Sequence, residues 1–472
     1  MNSQEAFIKQ KEILDYYRAN QPALLLTPQK RSEQETFTEI GIYNMPVNRP
    51  VGYLRLFPQD FIVEEKTQNN KYIRINEFLD QQNISGSPDE KNRTLYANLI
   101  KIGIPTNIAL EKTAAVIGFP ASKMGYAGLK DADAITAQLI ALPNLNIPIE
   151  EIINKKIPNV FLTNFYYGQG TLNPGDLQEN IFTITVRTKE VLEEAKLREQ
   201  LETLKTKGFL NYYQSQRFGG LRLMSHQLGK LILRQEYQKA ITEFLFRTSE
   251  YDIPLVVNLR QEAERAYPNW SAVSKVYEKL PYTFFNELRA LEYLIKEPTN
   301  YIGALFHIND QTQLWIYAYV SLLFNKYISY LESIDFKTDR QFPLLLSDKS
   351  EDREIYAQVL KEDGIINLQE SLRPFKFIQL KRRLVAGRSF PKEIEFKIFG
   401  KCLVITFALG KGAYATTFLA NLFELFLGLP IPKWVELNEI DPKEILGLGN
   451  IKKVKEIFKD EFYSKQEFDK AG

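Results

Sequence analysis

Alternation of apolar and polar positions marks the clearest strands of this chain. Over 180–187, Phe182, Ile184 and Val186 stand against Thr183, Thr185 and Arg187, the period of two of a β-strand. Over 135–142, Ile135, Ala137, Leu139 and Ala141 share one face, and Thr136, Gln138 and Ile140 share the other. Shorter runs at 51–55, 61–65, 394–398 and 403–407 have the same character. Elsewhere the spacing is helical. Leu110, Ala114 and Ile117 lie on one face of a helix predicted over 107–117, with Thr106 as N-cap and Gly118 and Pro120 as stop. Thr188 caps a second helix that carries Leu197, Leu201 and Leu204 and ends at Gly208. From about 240 to 370 the signals become mostly helical, the clearest helices being 231–245, 283–295 and 313–331. A further apolar helix is expected over 418–427, and a loop rich in Ser, Gly, Pro, Asp and Asn over 83–93. Helices flanked by strands on both sides predict an α+β fold on a mixed sheet, with a helical domain inserted in it.

Composition narrows the function classes. At 472 residues, two domains are the default, and a hydrophobic content of 44% with 12% aromatics is ample for both cores. A net charge of +2 selects no anionic partner by itself. The single Cys402 excludes an intrachain disulfide and points to a reducing compartment. With only His226 and His307 beside it, a Cys/His zinc site is not expected, and no EF-hand or paired-acid motif is present. The N-terminus carries no signal-peptide pattern, and the longest apolar stretch, 314–324, is too short to span a bilayer. A soluble, cytoplasmic protein without membrane contact is expected.

Four stretches carry candidate chemistry. Gly125 and Gly128 permit a tight turn, after which Lys130 and Asp131 lead into the strand that begins at Ile135. A rigid element presenting one carboxylate beside a cation suits a reactive site, although a turn capped by Asp is the commoner use of such residues. Over 211–219, two tyrosines, a phenylalanine, amides and Arg217 offer faces that stack on a base and groups that read its edges or bind phosphate; a self-satisfied polar turn accounts for them equally well. Gly410, Lys411 and Gly412 lack the P-loop spacing, so a nucleotide cofactor is not expected, but a glycine-rich turn before a helix can hold a phosphate of a polymer. Arg373, Lys376, Lys381, Arg382, Arg383, Arg388 and Lys392 alternate with Phe375, Phe377 and Phe390. That mixture suits a nucleic-acid backbone, and also a plain solvated face.

Taken together these stretches resemble the TruD family of tRNA pseudouridine synthases. Its Gly-Tyr-Ala-Gly-Leu-Lys-Asp-x-x-Ala-x-Thr-x-Gln pattern is complete at 125–138, and Asn-Tyr-x-x-x-Gln-Arg-Phe-Gly lies at 211–219. Asp60-Phe-x-Val-x-Glu65, Leu172-x-x-Gly175, Trp315-x-x-Ala318-x-x-Ser321-x-x-Phe324-Asn325 and Gly412-x-Tyr414-Ala-Thr416 follow in the family's order. The resemblance implies a pseudouridine synthase core with a mixed sheet, plus an inserted, mostly helical TruD-type domain. Implied boundaries are an N-terminal extension over 1–48, a core over 49–240 and 371–430, an insertion over 241–370, and a C-terminal extension over 431–472. The implied activity is the isomerisation of uridine to pseudouridine in tRNA, at position 13 of the D arm, without metal or other cofactor; the sequence leaves the oligomeric state open, a monomer being the default. Alternatives are a synthase for another RNA, or a non-catalytic RNA-binding or RNA-folding protein on the same scaffold.

The family's catalytic aspartate falls on Asp131, and the cation paired with it on Arg55. A carboxylate can attack the sugar or remove a proton from it, and it needs a cation to stay charged where it is partly buried. Arg55 supplies one that does not deprotonate. Tyr213 is the implied aromatic wall for a base out of its stack. Phe61, Lys130, Thr136, Gln138, Asn211, Gln216, Arg217, Phe218, Lys411 and Tyr414 are the implied RNA contacts, with Lys130 turned away from the site onto phosphate. The chain departs from the family pattern in having Tyr213-Gln214 where Phe-Gly is common, Arg55 for Lys, and Asn421.

Overall fold

The structure, a computed structural model, describes residues 3–26, 31–78, 93–145, 149–153, 155–333, 340–462 and 465. By contact they fall into two compact units, one of Met1–Met45 with Leu210–Arg388 and one of Pro46–Phe209 with Ser389–Ala471. Apart from Arg93, the loop expected over 83–93 lies outside the described residues.

The second unit is built on one mixed sheet. Its strands are β1 Val51–Leu54, β2 Phe61–Thr67, β3 Tyr72–Ile73, β4 Thr94–Ile102, β5 Gly125–Tyr126, β6 Ile135–Pro143, β7 Val160–Gly168, β8 Leu177–Thr188, β9 Lys392–Phe399, β10 Cys402–Gly410 and β11 Glu424–Leu427. The main order is β9-β10-β8-β2-β6-β4-β7. Only β2 with β6 and β1 with β11 run parallel among these described pairs. β3 and β5 hang on β2 and β6, and β1 bridges β8 and β11.

Both faces of the sheet are covered. The Thr106–Ile117 helix packs Ala109, Leu110 and Ile117 on Leu95, Leu99, Ile140 and Leu142. The opposite face, with Ile100, Ile102, Ile135 and Ala137, is closed by Ile451, Val454 and Phe458 from the end of the chain. Toward β10, the Glu194–Lys207 helix (Leu197, Leu201) and the Ala415–Ala420 helix (Phe418, Leu419) cover Ile184, Ile405 and Phe407. The C-terminal segment is also tied by charge. Asp441 caps the Pro442–Leu446 helix, and Lys443 Nζ lies 2.6 Å from Glu64 Oε2, both side chains 2% exposed. Val435, Ile440, Lys443, Ile451, Val454 and Phe458 thus carry this segment into the unit's core.

Three expectations change in detail. Thr106 is the first helical residue and Pro105 takes the cap position; the Thr106 hydroxyl is engaged elsewhere, as described below. Thr188 closes β8 and donates to the carbonyls of Glu190 and Lys401, while its helix starts later, at Glu194. The apolar run 418–427 divides into the end of the Ala415–Ala420 helix and strand β11, a run too short for its pattern to separate the two. The stops hold: Gly118 and Gly208 take φ of +67° and +68°, where a side chain would be strained.

The first unit is mostly helical. Its long Asn309–Ser333 helix buries Trp315, Tyr319 and Leu323. The Ser225–Leu233 helix crosses it so closely that a Cβ on Gly229 would stand 2.1 Å from the Trp315 carbonyl oxygen. The helix expected over 231–245 is broken at Gln235, φ +62°, into Ser225–Leu233 and Tyr237–Phe246. Among the described residues, no helix is long and apolar enough to cross a membrane.

Candidate active site

Arg55 directly follows β1 in a left-handed conformation, φ +63°, which costs a non-glycine residue about 1–2 kcal/mol. Its neighbours hold it there. Asp60 Oδ2 accepts hydrogen bonds from the amides of Leu56 and Phe57, both at 3.0 Å. Arg187 of β8 grips the same carboxylate through Nε at 3.3 Å and Nη2 at 3.2 Å, and both side chains are buried. The turn so fixed lays the Arg55 guanidinium 4.0 Å over the ring of Phe61 and brings its Nη2 to 2.7 Å from Asp131 Oδ1. The two side chains form an ion pair. The Arg55 side chain is 9% exposed and that of Asp131 32%, so the carboxylate keeps an open side.

The loop that carries Asp131 is held mainly through its backbone. A Cβ on Gly125 would lie 2.4 Å from Thr171 Oγ1 and 2.7 Å from the Leu172 amide nitrogen, so only glycine fits there. Gln138 Nε2 donates to the Gly128 carbonyl at 3.2 Å, and Gln138 Oε1 accepts from the Thr106 hydroxyl. That hydroxyl in turn accepts from the Lys130 amide at 2.9 Å. The Gly175 amide donates to the Ala127 carbonyl at 2.7 Å, and Lys411 Nζ reaches the Gly175 carbonyl at 3.3 Å. The glycine-rich turns at 175 and 410–412 therefore buttress the loop in series.

Beneath Asp131 lies a group that sequence reasoning passed over. Lys101 of β4 is fully buried, and its Nζ donates to the carbonyl oxygens of Asp131 at 2.6 Å and Ile104 at 2.8 Å. Burial pulls its pKa down to about 7, against the attraction of Asp131 and with the repulsion of Lys130. The signal available was the lone charged residue of the mostly apolar β4. Thr106, Glu65 and Arg187 were likewise not singled out as parts of the site.

Several expected RNA contacts are placed inside the protein. Lys130 makes a buried ion pair with Glu65 at 2.8 Å, the two side chains 2% and 1% exposed, so its ammonium is not offered to phosphate. Thr136, Gln138 and Phe61 are buried too, Phe61 between Arg55 and an edge-on contact with Phe182. The reason is shared. β2 and β6 are covered on both faces, so alternation along them marks two interior sides rather than one interior and one exposed. Lys411 is exposed, and Tyr414 is half-buried just ahead of the Ala415–Ala420 helix.

In the helical unit, Asn325 organises the 211–219 stretch. Its Oδ1 accepts from the Tyr213 amide, and its Nδ2 donates to the carbonyls of Tyr213 and Ile40, all within 2.9 Å. The Tyr213 ring meets Phe324 edge-on at 5.6 Å and lies 5.4 Å from the Arg217 guanidinium. Asn211 is buried and donates to the Ala386 carbonyl, and Phe218 is buried against His226. Of this stretch Gln216 is exposed, while Tyr213 and Arg217 are half-buried. Asn211 and Phe218 thus act on the shape of the segment.

A mixed sheet that presents one carboxylate under an arginine, interrupted in sequence by a helical unit, defines an α+β protein of pseudouridine synthase architecture. A family model described as tRNA pseudouridine synthase D (TruD) matches residues 38–341, and the chain belongs to that family. A Methanocaldococcus jannaschii protein named "Probable tRNA pseudouridine synthase D 1" is 28% identical over 393 residues, covering 79% of this chain and 95% of the relative. Its counterpart numbered 2 in the same organism is 26% identical over 421 residues, covering 78% and 91%. A crystal structure of a TruD from Methanosarcina mazei aligns with TM-score 0.58 at 21% identity, over 82% of this chain and 97% of that one, and supports the fold.

Proposed function

We infer that this protein isomerises uridine to pseudouridine in tRNA, with Asp131 as its catalytic carboxylate and uridine 13 of the D arm as its target. The observation that carries the reading is the Arg55–Asp131 pair at the end of the family's signature loop. In the reaction the C1′–N1 bond breaks, the base turns, C1′ bonds to C5, the C5 proton leaves and N1 gains one. No atom is gained or lost overall, so no co-substrate is required. Asp131 acts on the sugar, at C1′ as a nucleophile or at C2′ as a base, with the Arg55 guanidinium 2.7 Å from its carboxylate. Lys101 and Gln138 hold the loop from beneath. Tyr213 supplies the aromatic face for the extruded base, and Gln216, Arg217, Lys411 and Tyr414 are assigned to RNA. The sheet unit is assigned the chemistry and the helical unit the insertion that engages RNA; the protein is assigned to the cytoplasm.

The test is tritium release from a tRNA transcript carrying uridine tritiated at C5, with pseudouridine mapped by carbodiimide-dependent reverse-transcription stops. Release by the natural protein, its loss in Asp131→Asn, and a stop at position 13 are expected. A stop elsewhere would reassign the target uridine. RNA binding without any release would favour a non-catalytic RNA-binding protein.

A further inference from the structure

The run Lys381, Arg382, Arg383 is not used by the proposed reaction. It lies on an extended segment paired with 344–346: the Lys381 amide donates to the Leu346 carbonyl, and the Leu344 amide to the Arg383 carbonyl. Side chains of an extended segment alternate, so Lys381 and Arg383 share one side and Arg382 takes the other. Arg382 is neutralised there by Asp352, through Nε at 2.8 Å and Nη2 at 3.2 Å. Neither Lys381 nor Arg383 has a carboxylate within 4.0 Å among the described residues. Both instead line a pocket of about 80 Å³ in the helical unit, together with Tyr213, Arg217, Tyr317 and Gln379. The Arg383 guanidinium lies 5.8 Å from the Tyr317 ring. That volume accepts several waters, hence a phosphate, and its wall combines cations, two phenol rings and an amide.

We propose that this pocket seats one backbone phosphate of the RNA substrate on Lys381 and Arg383, with the neighbouring base unstacked against Tyr317. Two cations on the same side of one strand converge on a single phosphodiester, and an aromatic face a few ångströms away stacks on any base. The pocket thus adds a phosphate-binding point that shares Tyr213 and Arg217 with the RNA contacts already assigned, and the inference rests on the reading that this chain acts on RNA.

Binding of a fluorescein-labelled tRNA transcript is compared for the natural protein, Lys381→Ala/Arg383→Ala, and the control Arg373→Ala/Lys376→Ala. The control removes the same charge from exposed residues of the same basic run outside the pocket. The pocket double is expected to raise Kd about ten-fold at 0.15 M salt and to lower the salt slope by about 1; the control is expected to change Kd less than about three-fold. Tyr317→Leu is expected to raise Kd with the salt slope unchanged. Equal weakening by both doubles, or none by the pocket double, overturns the site and leaves a diffuse basic face. Tritium release run in parallel separates this from the isomerase reading. Release by the natural protein with an inert pocket double sinks the pocket alone. Selective weakening without release by any form keeps the pocket and sinks the isomerase.

Discussion

In the proposed reaction Asp131 works beside Arg55, which lies 2.7 Å from its carboxylate and is fixed by a strained backbone and an aromatic floor. Asp131→Asn is expected to reduce tritium release by at least about a thousand-fold, with the melting temperature nearly unchanged. Arg55→Met is expected to cost about a hundred-fold in kcat, the usual effect of losing one electrostatic group, and Arg55→Lys less, because the charge survives without the planar contact on Phe61. Lys101 makes a pH prediction. Its pKa is near 7 when folded and about 10.4 in an unfolded chain, so between these values the unfolded state binds the extra proton. Stability from this site therefore rises with pH across that window and is lost as pH falls through 7. The melting temperature of the natural protein should climb relative to Lys101→Met between pH 7 and 9; a flat difference would mean that Lys101 does not titrate there. At this scale Asp131 stood out as a candidate because glycines and a motif order surround it, and Arg55 came from the family resemblance alone. Lys130 was not legible: whether a cation beside a reactive residue faces RNA or a buried Glu65 depends on how many layers cover the strand.

Single elements place these residues. The 125–134 loop is set by contacts to its backbone, so small changes in its floor should act on catalysis. Gly125→Ala must displace Thr171 and Leu172, and is expected to cost about 1–3 kcal/mol of stability and most of the activity. Asn325→Ala frees both the amide and the carbonyl of Tyr213; a several-fold higher KM for tRNA with a smaller change in kcat is the expected outcome in steady-state kinetics. The strands with clean alternation, β6 and β8, could be read directly from the sequence. Thr106 could not, since its position before a helical run has the form of a cap while its hydroxyl is needed by Lys130 and Gln138, far along the chain. Strand β11 was hidden for another reason: its parallel partner β1 lies near the opposite end of the sequence, and no local pattern carries that pairing.

At the scale of the molecule, the switch from strand to helical spacing revealed an insertion, while its seams are a matter of contacts. Leu210 to Leu233 belongs by contact with the Asn309–Ser333 helix, through close approaches such as Gly229 on Trp315, and nothing in its composition announces this. The C-terminal segment is the other case. Set apart in the sequence as an extension beyond the core, it places Lys443 in the interior on Glu64. Lys443→Met leaves that carboxylate buried and unpaired, and a loss of about 3–5 kcal/mol in denaturant unfolding is expected, with part recovered on adding Glu64→Gln.

The position of β10 bears on how the protein is made. Strand β8 pairs on one side with β2, synthesised before it, and on the other with β10, synthesised after the whole inserted unit. All of the helical unit apart from the chain's last residue has left the ribosome before residue 389, so it can close its own core while β8 still presents a bare edge. Birth order thus finishes the helical unit first and the sheet beneath Asp131 last, after Phe458 has emerged to cover it. A nascent chain cut short before β10 would carry the aromatic and basic surfaces of the helical unit with an unfinished reactive centre, a ligand-holding by-product rather than a slow enzyme.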